Sequence, residues 1–185
     1  MKILEIYNEL GGDKVFYHGS PHVFDRFDFD RIGSGDGLSI FGHGLYFTDT
    51  YETAVFYAKE LSIGKLKSTG FNLYTVSIRG LDDFYNWEDE TPHHIAEKIV
   101  KKLIKAGHTD DAELIENEFN DYGNYWNLNT MYEVLTGTLG SKKETSEFLN
   151  ICGVSGVIGK PRSQSGLIYT VYDDRLIKIL NVEKV

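Results

Sequence analysis

The sequence predicts an α+β fold in one domain of 185 residues, and three observations predict it. Short runs in which β-branched and aromatic residues alternate with polar ones lie near both ends of the chain. Between them, apolar residues recur at helical spacing over roughly 91–152. Glycines and Ser-x-x-Glu or Asp-x-x-Glu patterns punctuate the boundaries. The sheet is therefore expected to draw on both ends of the chain, with a helical insertion between them.

Strands are expected at 14–17, 44–47 and 72–78, then again at 153–158, 167–172 and 176–180. Asp49 followed three residues later by Glu52 reads as a capping box that opens a helix running to about Ile63 and stopped by Gly64. Thr91-Pro92 reads as a cap and first helical residue, followed by Ile95, Ile99 and Leu103 on one stripe and ended by Gly107. A more polar helix is expected over 110–119. A third helix carries Met131, Leu135 and Leu139 before Gly140. Ser141 and Glu144 form a second capping box, for a helix that ends near Gly153. The glycine-rich stretch 33–44 reads as a loop, and Asp173-Asp174 as the turn of a hairpin.

Composition narrows the classes. The length suits a hydrophobic core without staples. A single cysteine, Cys152, excludes an internal disulfide framework and suits a reducing, cytoplasmic setting, and residues 1–10 carry no signal pattern. No apolar run approaches the ~20 residues that span a bilayer, so a membrane partner is not expected. The net charge of -9 and a pI near 5.1 disfavour attraction to nucleic-acid backbone. Lys98, Lys101, Lys102 and Lys105 read as a solvated helix face. His93, His94 and Glu97 begin an exposed helix with no further ligand at metal spacing, so no metal is expected. Cys152, beside a helix end among apolar residues, reads as core filler.

Two short stretches carry the chemistry. Tyr17-His18-Gly19-Ser20 is followed by Gly42-His43-Gly44-Leu45-Tyr46-Phe47-Thr48-Asp49, which runs on to Tyr57-Ala58; near the C-terminus stands Ile168-Tyr169-Thr170-Val171-Tyr172-Asp173. In order and spacing these resemble the ADP-ribosyltransferase superfamily, in the branch shared by diphtheria-type toxins and poly(ADP-ribose) polymerases. That branch's signature is His, Tyr and Glu on three strands. The likeness covers about the first 60 and the last 35 residues. The run 73–78 with Leu81 and Trp87, and the spacing of Ser146, Leu149, Gly153 and Gly156, also resemble small phage-associated and bacterial toxin-like members.

The resemblance implies two packed, mainly antiparallel β-sheets around an NAD cleft. It implies that His18 bonds a ribose hydroxyl of NAD, that the Gly19 backbone pairs with the nicotinamide carboxamide, where a residue without Cβ permits close approach, and that Ser20 adds a hydroxyl. Tyr46 and Tyr57, eleven residues apart, would sandwich the nicotinamide ring, each face gaining dispersion and a cation–π term of about 0.5–2 kcal/mol. His43 is assigned no role. Phe24-Asp25 and Phe27-Asp28 resemble the segment that covers NAD, or serve as turn and cap residues.

The third signature position departs from the pattern: Ile168 stands where the family carries glutamate. Members with isoleucine there transfer single ADP-ribose units, and other substituted members are inactive. The expected activity is therefore NAD-dependent mono-ADP-ribosyl transfer, with the acceptor supplying its own acid or base. The alternatives are a silent NAD-binding or interaction module and an NAD glycohydrolase. NAD enters as substrate. Gln164 and Asp173 are candidates by position for the missing polar group, and the loop 159–166 for acceptor recognition. The expected partner is a macromolecular acceptor, with acidity favouring protein over nucleic acid, and toxin-like members add an antitoxin or inhibitory partner.

Overall fold

The computed structural model describes residues 14–32, 39–64, 71–122 and 126–185; residues 1–10 and the 33–38 portion of the glycine-rich loop lie outside them. Seven strands form among the described residues: β1 (Val15–Ser20), β2 (Leu45–Thr48), β3 (Asn72–Ile78), β4 (Phe84–Asn86), β5 (Gly156–Gly159), β6 (Ile168–Val171) and β7 (Ile177–Lys184). Five helices accompany them among the described residues: α1 (Tyr51–Gly64), α2 (His93–Ala106), α3 (Thr109–Tyr122), α4 (Leu128–Leu139) and α5 (Lys142–Cys152).

The strands make one mixed sheet in the order β4-β5-β6-β2-β1-β3-β7. All neighbouring pairs are antiparallel except β4 with β5. The expected pair of packed sheets is thus corrected to a single one. The reason lies in β2, which pairs with β6 through four residue positions and with β1 through Tyr17↔Thr48, so backbone bonds join the two halves. That junction is narrow beside the six-position β1/β3 ladder.

A large core lies against one side of the sheet, where α2, α4 and α5 bring Ile95, Ile99, Leu103, Met131, Leu135 and Leu149, all fully buried, against Val157 and Ile168. A second cluster built on Phe16, Phe47, Tyr74, Val76 and Tyr169 covers the opposite face. A third, smaller cluster places Tyr17 and Leu73 under Ala54 of α1. Strand alternation explains the split: Phe16 and Phe47 face one way, while Tyr17 and Tyr46 face the other.

Local signals set most helix ends. Gly107, Gly140 and Gly153 adopt φ of 92°, 91° and 94° at the C-termini of α2, α4 and α5, the left-handed conformation that glycine takes without a Cβ penalty. Ser141 caps α5, its hydroxyl accepting from the Glu144 N–H at 3.2 Å and meeting the Glu144 carboxylate at 2.9 Å. α2 begins one residue later than expected, with the Pro92 carbonyl accepting from the Ile95 and Ala96 N–H groups. Gly137, exposed within α4, has open space where a Cβ would stand. Gly137→Ala is therefore expected to stabilise the protein by about 0.5–1 kcal/mol through helix propensity, read as a higher midpoint in urea.

Two further expectations change, and one strand is new. Asp49 does not cap α1: the Thr50 carbonyl accepts from the Ala54 N–H, and the Asp49 carboxylate turns to the Leu167 N–H at 2.8 Å and to Lys14 at 3.1 Å. Tertiary partners outbid the local pattern. Asp173-Asp174 makes a turn but no hairpin, because β6 pairs with β2 and β5 while β7 pairs with β3 at the sheet edge. β4 was not foreseen; three residues are too few to show alternation, and its pairing with β5 supplies what the local sequence lacks.

Candidate functional site

The site is built around the seam between β1 and β2. Beyond Tyr17↔Thr48, His18 Nδ1 lies 2.8 Å from the Tyr46 carbonyl oxygen, so a side chain bridges where the ladder thins. A carbonyl only accepts, which places the proton on Nδ1 and leaves Nε2 of the neutral ring as an acceptor. Burial lowers the His18 pKa below the usual histidine range, outweighing the Tyr46 carbonyl, which favours the charged form. The ring sits among Phe27 at 5.1 Å, Phe47 at 5.6 Å and Tyr74 at 6.2 Å.

Phe24 and Phe27 thus pack over His18, and Phe24 stacks on Tyr74 at 4.2 Å with a 6° interplanar angle. The Tyr74 hydroxyl accepts from the Phe24 N–H at 2.8 Å, fastening the segment. Asp28 takes the cap role, accepting from the Asp30 N–H ahead of a short 3-10 turn, Phe29–Arg31.

The protonation of His18 gives a test with a defined sign. Its pKa is lower folded than unfolded, so the unfolded chain binds the extra proton first. Its contribution to stability is whole above about pH 6.5, the unfolded value, and falls away as pH drops below it. Urea unfolding between pH 7.5 and 5 should show a shallower pH dependence in His18→Asn than in wild type; equal slopes would refute the assignment.

Gly19 has a role that the sequence did not show. A Cβ there would stand 2.4 Å from Ala58 Cβ and 2.5 Å from the Ala54 carbonyl oxygen. The close approach that glycine permits is taken up by α1 packing directly on β1. Ser20 is buried, and its Oγ accepts from the His22 N–H at 3.1 Å.

Tyr46 and Tyr57 pack against the large core, so the structure brings them to one side of the sheet together with Ile168. The His18 ring belongs to the other side, and reaches Tyr46 only through the backbone at the seam. The Tyr46 hydroxyl donates to the Gly42 carbonyl at 2.7 Å and accepts from the Phe41 N–H at 3.0 Å. Burial raises its pKa far above the ordinary phenol range, so it is a fixed neutral donor. The Tyr57 hydroxyl donates to Gln164 Oε1 at 3.2 Å.

Ile168 is 5% exposed. It lies between Thr48 of β2 and Gly159 of β5 in register, packed in the core with no polar atom to offer. Of the two candidates for the missing polar group, Gln164 meets Tyr57, whereas Asp173 is occupied by Arg175 at 2.7 and 2.8 Å.

Sequence reasoning missed Tyr132. Its hydroxyl donates to the Lys142 carbonyl at 2.7 Å and receives the His43 N–H at 2.9 Å and the Ser146 hydroxyl at 2.9 Å. Its ring fills the space beside Gly42, whose φ is 83°. The turn that delivers Tyr46 is therefore held by hydroxyls from both Tyr46 and Tyr132. In the sequence, Tyr132 beside Met131 and Leu135 is one more apolar position of an amphipathic helix, without a signal of its own.

Elsewhere, Cys152 is buried and its thiol pKa is pushed up to about 11 by burial, which removes it from thiolate chemistry. His93 lies 3.6 Å from Glu97 on the exposed face of α2, and among the described residues no group of three His, Cys, Asp or Glu side chains gathers. A groove of about 320 Å³ lies between α2 and α3, lined by His93, Glu97, Lys101, Glu116 and Phe119. No helix among the described residues is long and apolar enough to cross a membrane. No protein-family model, curated protein or solved structure matches the chain.

Proposed function

We propose that this protein is an NAD-dependent mono-ADP-ribosyltransferase. The observation that carries the reading is the placing of Tyr46 and Tyr57 on one side of the sheet beside the β1/β2 seam, each hydroxyl anchored so that its ring is held in a fixed orientation. Two fixed electron-rich rings suit a planar, partly cationic heterocycle. His18, on the opposite face, serves this reading through its Nδ1 bond to the Tyr46 carbonyl, which fixes the strand that carries Tyr46. In this reading the single sheet is a variant of the ADP-ribosyltransferase-like fold, and its two halves meet at the narrow seam.

The reaction breaks the bond between ribose C1′ and the nicotinamide nitrogen, whose electron pair leaves with nicotinamide. Positive charge gathers on C1′ and the ring oxygen, and an acceptor nucleophile then bonds to C1′ and releases its proton. The pocket contributes by orientation and preorganised polarity. Ile168 holds no proton acceptor, so a nucleophile already deprotonated, or one that carries its own base, is the one that reacts. A macromolecular acceptor, protein rather than nucleic acid, and a cytoplasmic setting with an inhibitory partner belong to the same reading.

One observation favours a second reading. The buried, apolar Ile168 also suits a module that binds NAD without turning it over. Incubating the purified protein with adenylate-labelled NAD, with and without cell lysate, separates the two. Nicotinamide release with label on one macromolecular fraction supports transfer, release with free ADP-ribose alone supports hydrolysis with water as acceptor, and binding without release leaves the silent module standing.

A further inference from the structure

We propose that Gln164 is the polar side chain that holds the reacting ribose, at the place that Ile168 leaves without one. The proposal rests on the transferase reading above. It starts from how the β5–β6 loop is fastened. Asp49 Oδ1 accepts from the Leu167 N–H at 2.8 Å, Thr53 Oγ1 donates to the Ser165 carbonyl at 2.8 Å, and the Tyr57 hydroxyl donates to Gln164 Oε1 at 3.2 Å. Asp49, Thr53 and Tyr57 recur every four residues, so Asp49 ahead of α1 and one stripe of that helix hold residues 167, 165 and 164 of the loop in turn.

Gly166 closes the grip. Its φ is 80°, and a Cβ there would stand 2.0 Å from Thr50 Oγ1 and 2.5 Å from Asp49 Oδ1, so the turn can lie against the start of α1 only as glycine. The Asp49 carboxylate at its centre is held ionised: burial opposes the charge, but the Leu167 N–H, Lys14 and Thr50 outweigh it and keep its pKa below the usual carboxylate range. Within the loop, Arg162, Ser163 and Ser165 are exposed while Gln164 is half-buried. Beside the buried Pro161, the inward polar side chain is the amide, and it meets a tyrosine of the candidate pocket.

The chemistry of that amide is specific. With Oε1 engaged by Tyr57, both hydrogens on Nε2 remain to donate, and the group neither gains nor loses a proton at physiological pH. It serves as a hydrogen-bond donor to a hydroxyl oxygen and not as a base. Holding a ribose hydroxyl while the C1′–N bond breaks affects the transition state more than the binding of NAD.

Three variants test this, with nicotinamide release as readout. Gln164→Glu keeps the length and the oxygen that Tyr57 engages but loses both donor hydrogens. It is expected to lower kcat by about 10- to 100-fold while the KM for NAD changes less than about threefold, and Gln164→Ala should lose as much. Tyr57→Phe keeps the ring and frees the amide; its loss should not add to that of Gln164→Ala in the double variant. Thermal unfolding of Gln164→Glu should match wild type. Wild-type release with kcat retained or raised in Gln164→Glu, or additive losses in the double variant, would overturn the role of Gln164 alone. No release from wild type despite NAD binding would overturn the transferase reading, and this proposal with it.

Discussion

Tyr46→Ala is expected to lower nicotinamide release from NAD by at least about 100-fold, the scale on which losing a positioning contact at a reacting centre acts. The ring is one half of the proposed sandwich, and its removal leaves one face of the nicotinamide unsupported. The hydroxyl has a separate task, since it joins the Gly42 carbonyl to the Phe41 N–H and fixes the turn that enters β2. Tyr46→Phe separates the two tasks: it keeps the ring and breaks both bonds, so its activity should fall between wild type and Tyr46→Ala. Steady-state release assays on the three proteins, each checked for cooperative unfolding, decide the matter. Folded Tyr46→Ala with wild-type turnover would remove the ring from the chemistry.

Gly19→Ala should have the largest effect on stability, a loss of about 3 kcal/mol, near the upper end for overpacking. The added methyl would stand 2.5 Å from the Ala54 carbonyl oxygen and 2.4 Å from Ala58 Cβ. The first of these is helix backbone, which cannot rotate aside as a flexible side chain would. α1 would have to lift from β1, carrying Tyr57 and the grip on residues 164–167 with it. Urea unfolding measures the loss directly, and activity assayed well below the melting midpoint should fall as well. A stability change under about 1 kcal/mol would show that α1 is more loosely seated than this contact implies.

Much of the fold was legible because its signals are local. The β3 boundaries at 72–78 follow from alternation, and the ends of α2, α4 and α5 follow from glycines at positive φ. The Ser141 cap needs only a residue three positions away. The pattern Asp49-x-x-Glu52 has the same local form and failed, because the Leu167 N–H and Lys14 compete for the Asp49 carboxylate from 118 and 35 residues away. A local pattern states what a residue can do; burial beside a distant partner decides what it does.

The candidate site divides in the same way. The resemblance implied a shared pocket for Tyr46 and Tyr57, while the packing of both against the large core was decided by the tertiary structure. Composition and periodicity alone set the α+β character, the helical block between strands, and the apolar nature of position 168. Only the tertiary structure decided that the strands form one sheet, that α1 occupies the space Gly19 leaves, that Tyr132 from the helical block holds the turn before Tyr46, and that Gln164 meets Tyr57 from 107 residues away. Those outcomes depend on which surfaces are buried against each other, and no local window of sequence contains both sides of such a contact.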